Sequence, residues 1–156
     1  MGIKVMSEVL EGHEDILTAL RDLMPEDLLD HVPPQIFEEL GVAFTVYKNK
    51  HYLAATFPAQ QRFANPMGAF QGGIVDGALD VLYGSLAFFI TGGRPAVTLT
   101  MESSFHRPIP ANGQPFTAEV RLRAAHGRTI FLEGAVKGPD GKTAVTSATT
   151  LVIRKR

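Results

Sequence analysis

The stretch Gly72-Gly73-Ile74-Val75-Asp76-Gly77-Ala78-Leu79-Asp80-Val81-Leu82-Tyr83-Gly84-Ser85-Leu86-Ala87-Phe88-Phe89-Ile90, closed by Gly92-Gly93, decides the fold. Apart from Asp76 and Asp80 it is built from apolar and small residues, so a helix formed here is apolar on nearly every face and must be wrapped by other structure. At about 18 residues it reaches roughly 27 Å. Downstream the period changes to that of strands: Val97 to Met101, Phe116 to Leu122, Thr129 to Val136 and Ala144 to Ile153. The links between them carry turn chemistry: Pro108-Ile109-Pro110-Ala111-Asn112-Gly113, His126-Gly127 and Gly138-Pro139-Asp140-Gly141. Such short links predict antiparallel neighbours. Upstream, Val42, Phe44 and Val46 alternate, as do Tyr52, Ala54 and Thr56 after Lys48-Asn49-Lys50, which predicts a hairpin. Gln60 to Gln71 reads as loop. From Ser7 to Leu29 apolar residues recur at helical steps, with Pro25 dividing them and His31-Val32-Pro33-Pro34 stopping them. A short helical turn is then expected up to Leu40-Gly41. One long apolar helix wrapped by a curved antiparallel sheet is an α+β architecture, the hotdog arrangement.

The 156 residues and 45% hydrophobic content suit one core. Fifteen Lys and Arg against sixteen Asp and Glu give a formal charge of −1, which favours neither nucleic acid nor an anionic membrane as partner. With no cysteine there is no disulfide, no thiolate metal site and no Cys nucleophile, which fits a cytoplasmic setting. Met1 to Met6 lacks the apolar core of a signal peptide. The run Val81 to Ile90 is interrupted by Tyr83, Gly84 and Ser85 and falls short of the roughly 20 residues that span a bilayer.

Asp76 and Asp80 share one face of the helix, four residues apart. Asp76 lies in the first turn, where the helix dipole favours an anion. Asp80 lies beyond that reach, and a carboxylate in such apolar company is a candidate for chemistry. Gly72-Gly73 adds a second ingredient: a helix N-terminus offers unpaired amide hydrogens, and glycine lets a substrate oxygen approach them, as in an oxyanion hole.

Asn65-Pro66-Met67-Gly68-Ala69-Phe70-Gln71-Gly72-Gly73, followed by Asp80, Gly84, Thr98 and Phe105-His106-Arg107-Pro108, resembles the PaaI-like branch of hotdog thioesterases. That family shows an Asn, six residues later His-Gly-Gly, and nine residues after that His an Asp on the central helix. The match runs from about Val42 to the C-terminus, so residues 1–40 are expected to be a helical extension and 41–156 the hotdog domain. The resemblance implies hydrolysis of an acyl-CoA thioester, with coenzyme A present as part of the substrate, no separate cofactor and no metal. Gly72 would offer its N–H to the thioester oxygen, Asn65 would fix the loop or the attacking water, and Asp80 would be general base or nucleophile. Thr98 would orient water or Asp80. Gln71 stands where the family has His; it keeps hydrogen-bonding capacity but cannot titrate near neutral pH.

For substrate contacts the expectations are Gly73 beside Gly72, Arg107, Arg128 and the basic C-terminus toward the phosphates of CoA, and Phe70 and Tyr83, with Phe88 and Phe89, toward the acyl group. The resemblance also implies a homodimer or dimer of dimers, with Gly72 and Asn65 of one subunit facing Asp80 and Thr98 of another. Two other readings stand beside hydrolysis: an enoyl-CoA hydratase on the same fold, against which counts the lack of a His near Asp80, and a non-catalytic acyl-CoA or lipid-binding protein. Gly138-Pro139-Asp140-Gly141-Lys142-Thr143 ends like a phosphate-binding loop, but Val136 stands where that motif needs Gly, so it is read as a hairpin turn. His13, His31, His51, His106 and His126 lack metal-ligand spacing.

Overall fold

The computed structural model describes residues 9–155. The expectations for Met1 to Met6, for a helix start at Ser7 and for Arg156 fall outside these residues. Within them the order is β1 (Val9–Glu11), α1 (His13–Leu23), a 3-10 turn (Glu26–His31), α2 (Gln35–Leu40), β2 (Ala43–Lys48), β3 (Tyr52–Pro58) and a 3-10 turn (Gln61–Phe63). Then come α3 (Gly72–Thr91), β4 (Ala96–Phe105), β5 (Pro115–His126), β6 (Thr129–Lys137) and β7 (Thr143–Ile153). The strands form one seven-stranded sheet in the order β1-β2-β3-β5-β6-β7-β4, every pair antiparallel. This is the expected hotdog architecture, with α3 lying against the sheet.

The apolar composition of α3 has its physical outlet here. Leu79, Leu82 and Leu86 are fully buried and share one core with Leu53, Val120, Ile130 and Val136 of the sheet. At 20 residues α3 is long and apolar enough to cross a membrane by length and composition, which the shorter run Val81 to Ile90 concealed. Its burial against sheet and α1 makes it the core helix of this fold. The glycine pair after it ends the helix and makes room: Gly93, at φ 92°, has its missing side chain directed at the Leu23 carbonyl, so α1 can close onto the end of α3.

Three expectations are corrected. Val9-Leu10-Glu11 is not helical but pairs with Val46 to Lys48 as an edge strand, and the helix begins only at His13. The alternation in β2 slips at a bulge between Phe44 and Val46, so that Phe44 and Tyr47 are buried and Val46 is not. And β4 is no neighbour of β5, despite the short link between them: it crosses to the far edge and pairs with β7. The Gly138 to Thr143 segment is the expected hairpin turn, with the Gly141 N–H donating to the Gly138 carbonyl at 2.9 Å.

Tyr83, a residue that could serve the acyl group or the core, lies in the core. It is fully buried, its hydroxyl has no partner at hydrogen-bonding geometry, and it faces Gly134 of β6, where an added Cβ would stand 2.6 Å from it. Burial pushes this phenol up to about 12, opposed in part by the Ser147 hydroxyl and helped by the Glu133 and Asp76 charges. An unfolded tyrosine ionises near 10, so this contribution to stability is complete below about pH 10 and is lost as pH rises toward 12. Tyr83→Phe is therefore expected to be at least as stable as the parent at neutral pH, because the lost hydroxyl was unpaired. It should also lose less stability in alkali, in thermal melts taken from neutral pH upward. Tyr52, likewise raised to about 12 by burial and by its hydrogen bond to Glu119, retains its share of the alkaline slope.

Candidate active site

Asp80 sits mid-way along α3 and is exposed, where its neighbours Leu79 and Leu82 are fully buried. The Thr98 hydroxyl donates to its Oδ1 at 3.0 Å. Thr98 lies beside a β-bulge: the register passes from Thr98 opposite Leu151 to Thr100 opposite Thr150, leaving Leu99 as the extra residue. A bulge re-aims the side chains around it. Asp76, expected near the helix N-terminus, is half-buried, and its Oδ1 is buried with no hydrogen-bond partner.

At the N-terminal end of α3, Asn65 works as a loop staple. Its Oδ1 accepts from the Met67 N–H at 2.9 Å and the Ala69 N–H at 3.1 Å, and its own N–H donates to the Ala69 carbonyl at 2.7 Å. Phe70 is pinned by its N–H to Ile109 and buried among Phe63 and Phe116; like Tyr83 it is core rather than a substrate contact. The Gln71 carbonyl accepts the Ile74 and Val75 N–H groups, and its exposed side chain bonds to no described residue. The Gly72 and Gly73 N–H groups have no protein acceptor among the described residues, as the first turn of a helix dictates. Gly73 is open to solvent, whereas an added Cβ at Gly72 would stand 3.3 Å from the Phe105 ring. Phe105, half exposed, thus lies over the helix start.

Two distances set what one chain can do. Gly72 and Asp80 are eight residues apart on one helix, about 12 Å along its axis, too far for both to act on one thioester carbonyl. Arg107 and Arg128 are also separated: the Arg107 N–H bonds to Ala144 at the start of β7 and Arg128 Nη1 to the Ile153 carbonyl at its end. Those ends are roughly 30 Å apart along the strand. Arg107 and Lys142 border a cavity of about 430 Å³. His106 is exposed and bonded to the Thr146 hydroxyl at 2.8 Å. Phe89 is buried core, but Phe88 borders a cleft that the sequence did not announce. That cleft runs between α3 and the α1–α2 segment, and Asp80 is on its wall.

A long helix held in a curved antiparallel sheet, here with a carboxylate and a free helix N-terminus presented on it, is the hotdog fold. No family model matches the sequence, and no curated protein matches it; solved structures do. A phenylacetic acid degradation-related protein of Ralstonia eutropha JMP134, classed with the thioesterases, is 26% identical over 77% of this chain and 90% of its own, with a TM-score of 0.68. The PaaI protein of the E. coli phenylacetic acid degradation operon shares the fold at 16% identity, 89% and 96% coverage and a TM-score of 0.74. So does a Streptococcus mutans UA159 protein solved with acetyl-CoA bound, at 17% identity, 68% and 83% coverage and a TM-score of 0.61. In fold the chain is similar to the PaaI-like hotdog thioesterases.

Proposed function

We propose that the protein hydrolyses an acyl-CoA thioester to free acid and CoA, as a cytoplasmic enzyme whose site forms between two copies of the chain. What carries this reading is the Asp80 carboxylate, exposed on a largely apolar core helix and bonded by the Thr98 hydroxyl at 3.0 Å. Similarity to structures classed as thioesterases, one fold relative holding acetyl-CoA, supports the substrate class.

The second copy is called for by geometry. Gly72 and Asp80 of one chain stand about 12 Å apart, so the oxyanion donor for one Asp80 comes from a partner. The β4 strand supplies a surface for it: this sheet edge carries exposed Val97, Leu99 and Phe105, and unpaired strand edges with apolar side chains invite pairing. In such a twofold arrangement, Arg107 of one copy and Arg128 of the other are the basic residues offered to the CoA phosphates.

In the reaction, the Gly72 N–H polarises the thioester carbonyl and stabilises the negative oxygen that develops. Asp80 either takes a proton from water as that water attacks the carbonyl carbon, or attacks it directly. In both cases the C–S bond breaks, CoA leaves as its thiolate and takes up a proton; the direct route adds hydrolysis of a mixed anhydride. Asn65 holds the loop that presents Gly72, and the Gln71 backbone carbonyl accepts the Ile74 and Val75 N–H groups of the first turn of α3. Purified protein incubated with short, medium, long and aryl acyl-CoAs is expected to release free thiol, read with a thiol reagent against a chain that has no cysteine. No release from any of them would overturn the reading and leave a binding protein.

A further inference from the structure

The cleft beside Asp80 has about 440 Å³ of space, within the roughly 300–1,000 Å³ common for small-molecule sites. One wall is Leu17 and Leu20 of α1 and Met24 just beyond its end, with Phe37 of α2. The other is a single face of α3, where Gly77, Asp80, Gly84 and Phe88 follow at helical spacing. Only Asp80 and Ser85 among the lining residues carry polar side chains, and the Ser85 hydroxyl is spent on the Val81 carbonyl at 2.7 Å. Three other cavities differ: one borders Arg107, Asp140 and Lys142, and two are bordered by polar residues such as Glu102 and Arg123.

The two glycines explain why the space exists. Gly in a helix interior is unfavourable relative to Ala, yet an added Cβ at either Gly77 or Gly84 would meet nothing within 4 Å. Both therefore face open volume, and any side chain there would occupy it. The opposite wall is anchored rather than draped: Arg62 pairs with Glu39 at 2.7 Å, Gln60 donates to the Glu39 carbonyl at 2.7 Å, and the Phe44 N–H donates to His13 at 3.2 Å.

We propose that this cleft receives the acyl chain, that the chain is a straight aliphatic one, and that the α1–α2 segment sets its length. This rests on Asp80 as the catalytic carboxylate. A carbonyl carbon at Asp80 directs its alkyl chain along a wall with no free hydrogen-bonding group, so it rewards methylenes and offers nothing to a ring hydroxyl or second carboxylate. Each methylene buried there is worth up to about a fourfold gain in kcat/KM.

The test is kcat/KM across straight-chain acyl-CoAs from acetyl to dodecanoyl, with hydroxyphenylacetyl-CoA alongside, for the parent, Gly84→Leu and Met24→Ala. The parent is expected to climb with chain length to a break and to prefer alkyl over hydroxyaryl groups. Gly84→Leu, which fills the cleft with a better helix former, should move the break to shorter chains and cut the decanoyl-to-acetyl ratio by more than about tenfold. Met24→Ala should move the break to longer chains. A flat profile, or a break that neither substitution moves, overturns the proposal. So does loss of the dimer in Gly84→Leu with the chain-length ratio unchanged, which would assign the cleft to a partner subunit. If the parent releases no CoA from any ester, the hydrolase reading fails on its own account. The cleft is then judged by calorimetric titration with decanoyl-CoA, where binding weakened more than about tenfold by Gly84→Leu upholds it and unchanged binding overturns it.

Discussion

Asp80→Asn is expected to lower kcat by about a thousandfold, the scale at which a positioned base or nucleophile acts, while leaving the fold intact. Asparagine has the same shape, and its side-chain oxygen still accepts the Thr98 hydroxyl that reaches Asp80 at 3.0 Å. The position is exposed, so stability should change by no more than about 0.5 kcal/mol. Steady-state release of CoA together with thermal melts checks both halves. Turnover that survives in a correctly folded Asp80→Asn would remove Asp80 from the chemistry, whatever else the cleft holds.

The second large effect is recovery of activity from two inactive proteins. Asn65→Ala removes the oxygen that holds the Met67 and Ala69 N–H groups, loosening the loop that sets Gly72 in place. Asp80→Ala removes the carboxylate. Each homodimer then lacks one half of both its sites. Mixed in equal amounts and allowed to exchange, half of the dimers are hybrids in which one site is wholly intact, so about a quarter of the parent activity should return. Subunit exchange is followed separately by mass spectrometry of a tagged copy. Exchange without recovery would mean that Asn65 and Asp80 of the same chain serve one site.

The main helix and the strands after it were legible because each is long enough for its period to be unambiguous: α3 carries 20 residues and β5 twelve. Three residues carry no period, and Val9-Leu10-Glu11 fits a helix turn as well as a strand; only pairing with Val46 to Lys48 makes it sheet. Strand order was hidden for another reason. The Pro108 to Gly113 link has turn composition, but composition does not say whether a chain doubles back or crosses an edge, and here β4 crosses to pair with β7.

At the site, Asp80 stood out as an ion among apolar residues, and Thr98 came with the family resemblance; the 3.0 Å bond joins them. Phe70 and Tyr83 stood between pocket and core because aromatic residues fill both, and nothing in the sequence says which way a ring turns; both are buried. The cleft was out of reach for a related reason. Helical periodicity marks Leu17 and Leu20 as inward-facing, yet it cannot show that the surface they meet has glycines where side chains would otherwise close the gap.

The pairing of β4 with β7 bears on the order in which this face of the molecule can assemble. Thr98 lies opposite Leu151, and Ala96 opposite Ile153, so the strand that seats the partner of Asp80 is held by a strand far along the chain, with β5 and β6 between them. α3 and β4 can both exist before Thr98 has its register. A product truncated before Leu151 would keep most of its core strands and lose that register. The hydrogen bond from Thr98 to Asp80 thus waits on a contact distant in sequence, the kind that a folding chain makes slowly.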